Sequence, residues 1–410
     1  MLIRTFSAGR TESKRVSLTI LLVAEVAAMA TWFATTASLG AIQAQWSLSP
    51  FQQALLTSSV QAGFVVGTLA SALLSLADRA DLRTLFSTAA SVAAGANGAI
   101  LLFDPPDPAV PVLRFVSGMC MAGVYPVGMK LAATWAEGDL GFLIGMLVAA
   151  LTLGSASPHA MAALGGFDWR APVAGAAASA LAAAVLIRFV KIGPHHAKAP
   201  PLEITNALEA FRRPALRLAN FGYFGHMWEL YAMWAWIGAY LTASLSARYG
   251  DAPPLNPRFA TFAVVAIGSL GALLGGYAAD RLGRTLVTAV SMAVSGTCAV
   301  VIGLLFASPA WLVMGVALVW GLSVIADSAQ FSAAVTELSD RRLIGTMLTV
   351  QTCVGFLITL VSIHALPYAV RLLTWRYAFD LLAVAPFLGV VAMLRLRARP
   401  EAQTMAGGRR

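Results

Sequence analysis

Long apolar runs, separated by short polar breaks, make up most of this chain. Each run holds about 20 mainly apolar residues, which is the length that a helix needs to cross a hydrocarbon layer of about 30 Å. The breaks carry turn and charge signals, such as the Asp-Pro-Pro-Asp-Pro stretch at 104–108. The pattern predicts twelve membrane-spanning helices, at 16–40, 51–76, 84–103, 112–134, 142–165, 171–189, 215–244, 259–279, 286–307, 310–335, 343–367 and 376–395.

The composition points to the same class of protein. Hydrophobic residues make up 59% of the 410 residues and charged residues 11%, whereas about 25% of a soluble domain is charged. These values exclude an ordinary soluble enzyme and a disordered chain, and the mean hydropathy of +0.76 favours helices over a barrel, whose strands alternate. The cysteines at 120, 298 and 353 lie in apolar runs without zinc-like spacing, so we expect no metal site and no cofactor.

The formal net charge of +9 reflects topology rather than nucleic-acid binding. If the N-terminus is cytoplasmic, Lys and Arg in the inner segments outnumber those in the outer loops by about four to one. This asymmetry predicts a multi-pass protein of the inner (plasma) membrane with both termini in the cytoplasm. The basic start of the first run resembles a secretory signal, but that run is too long, contains Glu25 and precedes eleven further spans.

The chain repeats itself at an offset of about 200 residues. A polar segment at 191–214 divides it into two predicted six-helix bundles, 1–190 and 215–410, joined by a cytoplasmic linker. The matching elements are Asp78-Arg79 with Asp280-Arg281, Leu143-Ile144-Gly145 with Leu343-Ile344-Gly345, and His159 with His364. Two parallel halves that rock around a central site are a transporter design.

Several motifs resemble those of a known family. The stretch 276–284 reads G-Y-A-A-D-R-L-G-R, and its first-half counterpart keeps Asp78, Arg79 and Arg83. Span four has Arg114, Gly118 four residues later and Pro126 twelve residues after the arginine. Together these resemble the loop motif and the span-four motif of the major facilitator superfamily of secondary transporters. The resemblance covers the whole chain, and it implies an all-α membrane protein with twelve transmembrane helices in two six-helix pseudo-repeats.

Two stretches, 125–135 and 326–330, are also similar to the nitrate/nitrite and cyanate permease group. Nitrate porters typically carry an arginine inside spans two and eight, and this chain has none at those places. Nitrate is therefore not the expected substrate.

Ionisable residues inside the membrane are the candidate site. Each costs about 2.5–3.5 kcal/mol on insertion scales, so such residues usually face a cavity or a partner. They occur in spans one, four, seven and ten, and the resemblance implies that these four helices line the central cavity. The candidate substrate and proton pathway comprises Glu25, Arg114, Tyr125, Lys130, His226, Glu229, Tyr231, Asp327 and Gln330.

Each of these residues has alternative roles. His226 and Glu229 are three positions apart, which predicts either a proton-binding pair beside an aromatic wall or a structural hydrogen bond. Glu25 and Asp327 could carry protons or form salt bridges between helices. Arg114 could couple protons or bind an anion, Lys130 could instead reach the membrane surface, and Gln330 could bind substrate or join helices.

The loop motifs predict a gate. The resemblance implies that their charges lock the two halves on the cytoplasmic side, although arginines in an inner loop are also a simple topology signal. The candidate gating residues are Asp78, Arg79, Gly276, Asp280, Arg281 and Arg284.

The expected function is secondary active transport by alternating access. We expect a small polar or anionic metabolite and proton coupling as a symporter; efflux or antiport of hydrophobic compounds is the alternative. Catalytic motifs such as HExxH, G-x-S-x-G and G-K-S/T are absent from the sequence, which argues against an enzyme. The expected partners are the solute, protons and the lipid bilayer, without nucleic acid, and the protein is expected to be a monomer.

Overall fold

The computed structural model of the protein describes residues 2–166, 168–195 and 202–410. Over these ranges the chain is helical and contains no strand. The predicted linker at 191–214 is only partly covered, because residues 196–201 lie outside the described residues. Its described part includes the short helical turns Ile204–Asn206 and Glu209–Arg212.

Ten helices form the first half. Polar side chains cap several of them: Ser49 and Gln52 form a reciprocal capping box at one helix, and Asp81 accepts two backbone N–H groups at another. The helices are α1 (Leu2–Met29), α2 (Ala34–Ala37), α3 (Leu39–Gln43), α4 (Pro50–Leu73), α5 (Leu76–Arg79), α6 (Leu82–Ala99), α7 (Ala109–Met121), α8 (Tyr125–Ala133), α9 (Leu140–Leu164) and α10 (Arg170–Leu186).

The short last helix of the linker and the helices of the second half follow in chain order. They are α11 (Glu209–Arg212), α12 (Pro214–Tyr249), α13 (Pro257–Ala266), α14 (Gly268–Leu282), α15 (Arg284–Leu304), α16 (Ala310–Ala326), α17 (Ser328–Leu338), α18 (Ile344–Ala378) and α19 (Asp380–Arg397). A 3₁₀ segment, Pro400–Gly408, follows the last helix at an angle of 93°.

Nine helical segments in the described ranges are long and apolar enough to cross a membrane, and α19 is a tenth if it is taken together with the bent segment after it. The helices at predicted spans one and seven, α1 and α12, are also long but contain more polar residues. The structure therefore has a multi-helix architecture that suits a membrane, while the count of twelve spans stays a prediction.

Several predicted spans are interrupted near their middle. Span one breaks at 30–33, span four at 122–124 and span ten at Asp327. In span four the cause is local, because Pro126 lacks the N–H that would bond to the carbonyl of Ala122. Span eleven is longer than predicted, since α18 continues to Ala378 and bends at Thr374, where φ is 61°.

Glycines bring helices of the first half into close contact. A Cβ on Gly118 of α7 would overlap the carbonyl of Val60 on α4, and a Cβ on Gly63 of α4 would overlap the carbonyl of Phe115 on α7. Small residues let backbones approach in this way, and packing of this kind drives the association of membrane helices. The two helices therefore form a rigid seam.

The second half contains the corresponding seam. Gly271 of α14 meets the carbonyl of Leu322 on α16, and Gly321 of α16 meets the carbonyl of Val264 on α13. Glycines thus join spans eight and ten as they join spans two and four. The pseudo-repeat of two six-helix bundles stays a prediction.

The halves pack against each other through two pairs of long helices. Helix α4 lies along α18, and α9 lies along α13 and α14. We call the end of the bundle that carries Asp78 and Asp280 the motif face, and the opposite end, which carries Pro50 and Arg258, the far face. Any pathway through the bundle runs between these faces along the contact of the two halves.

The glycine seam generates a test of the packing. Replacing Gly118→Ala places a methyl group against the Val60 backbone, so we expect a loss of about 1–3 kcal/mol in the free energy of unfolding. The measurement is the thermal unfolding midpoint of the purified protein in detergent. Gly95→Ala is the matched control, because its Cβ position has no neighbour within 4 Å and alanine favours the helix. Equal midpoints for the two variants would contradict the seam.

Candidate functional site

Six aromatic side chains meet where the two halves face each other. The rings of Phe64 and Phe356 lie 4.5 Å apart between centroids, and Trp32 stacks on Tyr231 at 5.8 Å. All six are buried. We call this cluster the aromatic plug; its members are Trp32, Phe33 and Phe64 from the first half and Tyr231, Trp234 and Phe356 from the second.

A cavity of about 550 Å³ opens between the halves at the far face, and we call it the vestibule. Thr36, Ala235 and Trp236 line it about one helical turn from the plug, so the plug closes its inner end. Pro367 also lines it and leaves the carbonyl of Ile363 without its usual helical donor. The Trp236 indole N–H donates to that carbonyl at 3.1 Å, which fixes the wall.

Glu25 is a buried carboxyl group without a fixed partner. It has no exposed surface, and neither of its oxygens accepts a hydrogen bond from any described residue. Gly128 of α8 provides the space, because a Cβ there would lie 2.6 Å from Oε2. A charge that is neither paired nor hydrated is costly at this depth, so the group needs a proton, a water or a ligand.

One tyrosine lies near this carboxyl group, and two more lie near that tyrosine. Tyr125 of α8 is within electrostatic range of Glu25, and Tyr223 and Tyr231 of α12 are within range of Tyr125. Tyr125 belongs to the first half and the other two to the second. The structure thus brings the predicted residues Glu25, Tyr125 and Tyr231 together at the contact of the halves.

His226 is paired with Asp327. Its Nδ1 lies 2.9 Å from Asp327 Oδ1, and both side chains are almost completely buried. Asp327 stands at the break between α16 and α17, which turns its carboxylate toward α12. The other ring nitrogen, Nε2, has no hydrogen-bond partner in the described part of the chain. This pair links spans seven and ten.

Glu229 has different partners from those that the sequence pattern suggests. Its oxygens accept hydrogen bonds from Ser295 Oγ and Trp320 Nε1, each at 2.7 Å. These partners lie on α15 and α16, so the carboxyl group points into the second half. The spacing of 226 and 229 predicts a contact between the two side chains. Instead, they contact different helices that pack against α12: His226 is paired with Asp327, and Glu229 is bound by α15 and α16.

Arg114 is buried inside the first half, where it fills the break of span one. Its guanidinium donates to the carbonyl oxygens of Thr31 at 2.6 Å, Trp32, and Leu56 at 3.3 Å, and to Asn97 Oδ1 at 3.1 Å. The broken helix leaves two of these carbonyls without a helical donor. The geometry therefore gives Arg114 a structural task, and anion binding by it stays an untested prediction.

Lys130 reaches the motif face. Its ammonium lies 2.6 Å from Asp78 Oδ1 and 2.8 Å from the carbonyl oxygen of Ala77. This ion pair ties α8 to α5 within the first half, while Arg79 is exposed. Lys130 thus lies away from the plug, as a lysine that extends toward the membrane surface would.

The second loop motif is held by Arg284. Its guanidinium binds Glu337 through two hydrogen bonds, at 2.9 and 2.8 Å, and Gln330 Oε1 at 2.7 Å. Asp280 Oδ1 lies 3.6 Å away. Gln330, in the first turn of α17, is therefore held beside Arg284 and Gly276 instead of at the plug.

Asp280 faces the other half. Its Oδ2 lies 4.0 Å from the position that a Cβ on Gly141 would take, in the first turn of α9. A carboxylate is favoured near the N-terminus of a helix. Arg281 turns the other way and covers the ring of Tyr277 at 3.4 Å. Asp280 is therefore the residue of the second loop motif that lies close to the other half.

Two ion pairs order the loops of the motif face. The Lys14 ammonium, 2.8 Å from Asp139, lowers the pKa of that carboxyl group, and Arg213, 2.7 Å from Asp340, lowers the pKa of Asp340. Because the folded-state pKa is lowered, each pair stabilises the fold at neutral pH and loses that contribution as the pH falls through the folded-state value.

The sequence model of the Major Facilitator Superfamily matches residues 21–363, which is most of the chain. The chain belongs to the Major Facilitator Superfamily. It is a multi-pass membrane transporter with a small-molecule substrate, not an enzyme.

Comparison with solved structures supports the same fold. The crystal structure of a mutant of the nucleoside transporter NupG superimposes with a TM-score of 0.70, at 14% sequence identity, over 93% of this chain and 99% of that one. At this identity the likeness concerns the fold alone. No curated protein sequence matches the chain at a significant level.

One polar residue at the contact of the halves does not follow from the charge pattern. Gln61 of α4 is fully buried, and neither atom of its amide has a hydrogen-bond partner among the described residues. It lies one turn from Phe64 of the plug and one turn from Ser58, whose hydroxyl is 2.8 Å from His364 Nε2 of the other half. An amide deep in a span without charged residues is the signal that an analysis of charges alone misses.

The environment of Arg114 generates a test that separates structure from binding. Arg114→Gln leaves carbonyls at the break of span one without donors, at about 1–3 kcal/mol for each unsatisfied group, so we expect a much lower unfolding midpoint. Arg83→Gln is the control, since Arg83 forms only an exposed pair with Asp81. A normal midpoint with abolished solute binding would instead favour anion recognition by Arg114.

Proposed function

We propose that the protein is a proton-coupled secondary active transporter, which moves a small polar or anionic metabolite across the inner membrane by alternating access. The observation that carries the proposal is Glu25, a carboxyl group buried against Gly128 of α8 with no hydrogen-bond partner among the described residues. A group of this kind can be loaded with a proton from one side and released to the other when the halves move.

The other buried acids extend the proposed proton path. The His226–Asp327 pair lies in the second half and has an unpartnered ring nitrogen among the described residues, so we assign it the next position in the path. Glu229 is held by Ser295 and Trp320 and is assigned a supporting position in the path. Glu25 is therefore the primary proton site in this proposal.

The solute is expected to bind at the plug. Trp32, Trp234 and Gln61 each present a buried polar N–H group without a partner in the described ranges, next to aromatic ring faces. Such a surface suits a compact solute with hydrogen-bond acceptors and a flat or apolar part. Arg114 and Lys130 are engaged elsewhere, so the solute charge must be met by other groups. Nucleosides, which NupG is named for, fit these requirements and belong in a solute screen.

The motif face is the proposed inner gate. Asp280 would hold the first turn of α9 by charge and release it when the carrier opens there. Asp78, Arg79, Gly276, Arg281 and Arg284 would shape the two loops around this contact. In this proposal the motif face and both termini are cytoplasmic, and the carrier works as a monomer and a symporter.

Efflux of hydrophobic compounds is the second candidate. The aromatic plug favours it, because six rings offer a large apolar surface for an apolar cargo. Expression in cells that lack their own pumps separates the two candidates. Increased resistance to hydrophobic toxins, without uptake of any polar solute, would replace the metabolite proposal with efflux.

Proton coupling is tested with the full chain in liposomes that contain a pH-sensitive dye. Adding the transported solute, found by screening nucleosides, carboxylates, sugars and amino acids, should acidify the interior of the liposomes in step with uptake. Glu25→Gln should abolish the proton movement, and gradient-driven uptake should fall at least tenfold while solute exchange persists, because a neutral amide cannot carry the proton.

The matched control is Glu12→Gln, an exposed glutamate on the same helix, which should behave as wild type. If uptake is equal with and without a pH gradient, and Glu25→Gln transports as wild type does, proton coupling is removed from the proposal.

A further inference from the structure

The vestibule has the size of a ligand site rather than of a packing defect. Its volume of about 550 Å³ falls within the range of about 300–1,000 Å³ that is usual for small-molecule pockets. Both halves contribute walls, with α2, α3, α4 and α9 on one side and α12, α13 and α18 on the other. A molecule bound here would touch both halves before the plug opens.

The charged lining of the vestibule has one sign. Arg258 and Arg371 line it, and no aspartate or glutamate does so among the described residues. A cleft with low-dielectric walls and charge of one sign concentrates oppositely charged solutes. The vestibule therefore favours an anion.

The basic groups are held in place by the fold. Arg258, in the first turn of α13, donates to the carbonyl oxygens of Ala162 and Gly166, so its guanidinium spans the gap between the halves at the C-terminal end of α9. Arg371 lies on α18 between Pro367 and the bend at Thr374, and its side chain is exposed. The two arginines thus belong to the same half but stand on different helices.

His159 adds a buried polar group to this wall. It is 5% exposed, and its Nε2 has no hydrogen-bond partner among the residues that the structure describes. It follows Pro158, whose missing N–H leaves the carbonyl of Gly154 to accept from Ser157 Oγ instead, at 2.7 Å. An unpartnered buried nitrogen in the wall is a position at which a ligand oxygen would be stabilised.

The remaining wall is mainly apolar and aromatic. Leu39, Val370, Trp236 and Trp375 line it, with amides and hydroxyl groups between them. An inorganic anion would leave these surfaces uncovered. An organic carboxylate would place its charge near the arginines and its apolar body against the indoles.

We propose that the vestibule is a binding site for small organic carboxylates, formed by Arg371, Arg258 and His159 with the walls at Trp236 and Trp375. The site deepens the proposed carrier function, on which its role in transport rests: it collects an anionic solute at the far face before the plug admits it. Binding at the site itself requires no proton gradient.

The test measures ligand-induced stabilisation of the purified full chain at constant ionic strength, with benzoate as the probe and benzamide as its uncharged isostere. Benzoate should raise the unfolding midpoint, and benzamide should not. Arg371→Gln should weaken benzoate binding about tenfold, while Arg248→Gln, another arginine at the far face that does not line the cavity, should leave it unchanged. Equal shifts with benzoate and benzamide, or unchanged binding in Arg371→Gln, would overturn the proposal.

A second variant tests the same site in case Arg371→Gln does not fold. Gln43→Glu adds a negative charge to an exposed position of the wall and should also abolish the benzoate shift. The result is independent of the coupling test, because Glu25→Gln should bind benzoate as wild type does. A benzoate shift without proton coupling would retain the vestibule site and reject the coupling, and coupling without a benzoate shift would do the reverse.

Discussion

The break in the first helix, together with the guanidinium that satisfies it, positions most of the pathway. At membrane depth there is no bulk water to bind the carbonyls that a broken helix exposes, so a break persists only where protein donors replace the missing N–H groups. Arg114 supplies several such donors from α7. Because the chain leaves helical register at 30–33, Trp32 and Phe33 reach Tyr231 and Trp234 of the other half. The plug depends on that change of direction.

The two kinds of packing in the bundle have different consequences. Glycine seams inside each half bring backbones into contact, which leaves little freedom for one helix to slide on the other. Between the halves the polar contacts include isolated hydrogen bonds, such as Ser58 with His364 and Ser269 with the carbonyl of Ala149, and the contact of Arg258 with two carbonyls at the end of α9. A carrier that moves as two bodies requires this division, with firm packing within each body and replaceable contacts between them.

Individual residues show how much of the candidate site can be predicted from the sequence. Glu25 can be identified from the sequence, because a lone carboxylate in an apolar run is costly anywhere in a membrane. Glu229 stands at the equivalent place of the second half, yet it is bound by Ser295 and Trp320 while Glu25 has no partner in the described ranges. The difference lies in neighbours that are 66 and 91 positions away, and no local pattern contains that information.

Apolar length and charge asymmetry identify the class of protein without coordinates, because insertion into a bilayer depends on these properties of the chain. The loop motif and the span-four motif identify the family in the same way. The fold is needed to show which polar groups are satisfied and which are not. Arg114 donates to backbone carbonyls, Lys130 pairs with Asp78, and Glu25 has no hydrogen-bond partner in the described chain. These differences arise because hydrogen bonding depends on distances between helices, which the fold sets.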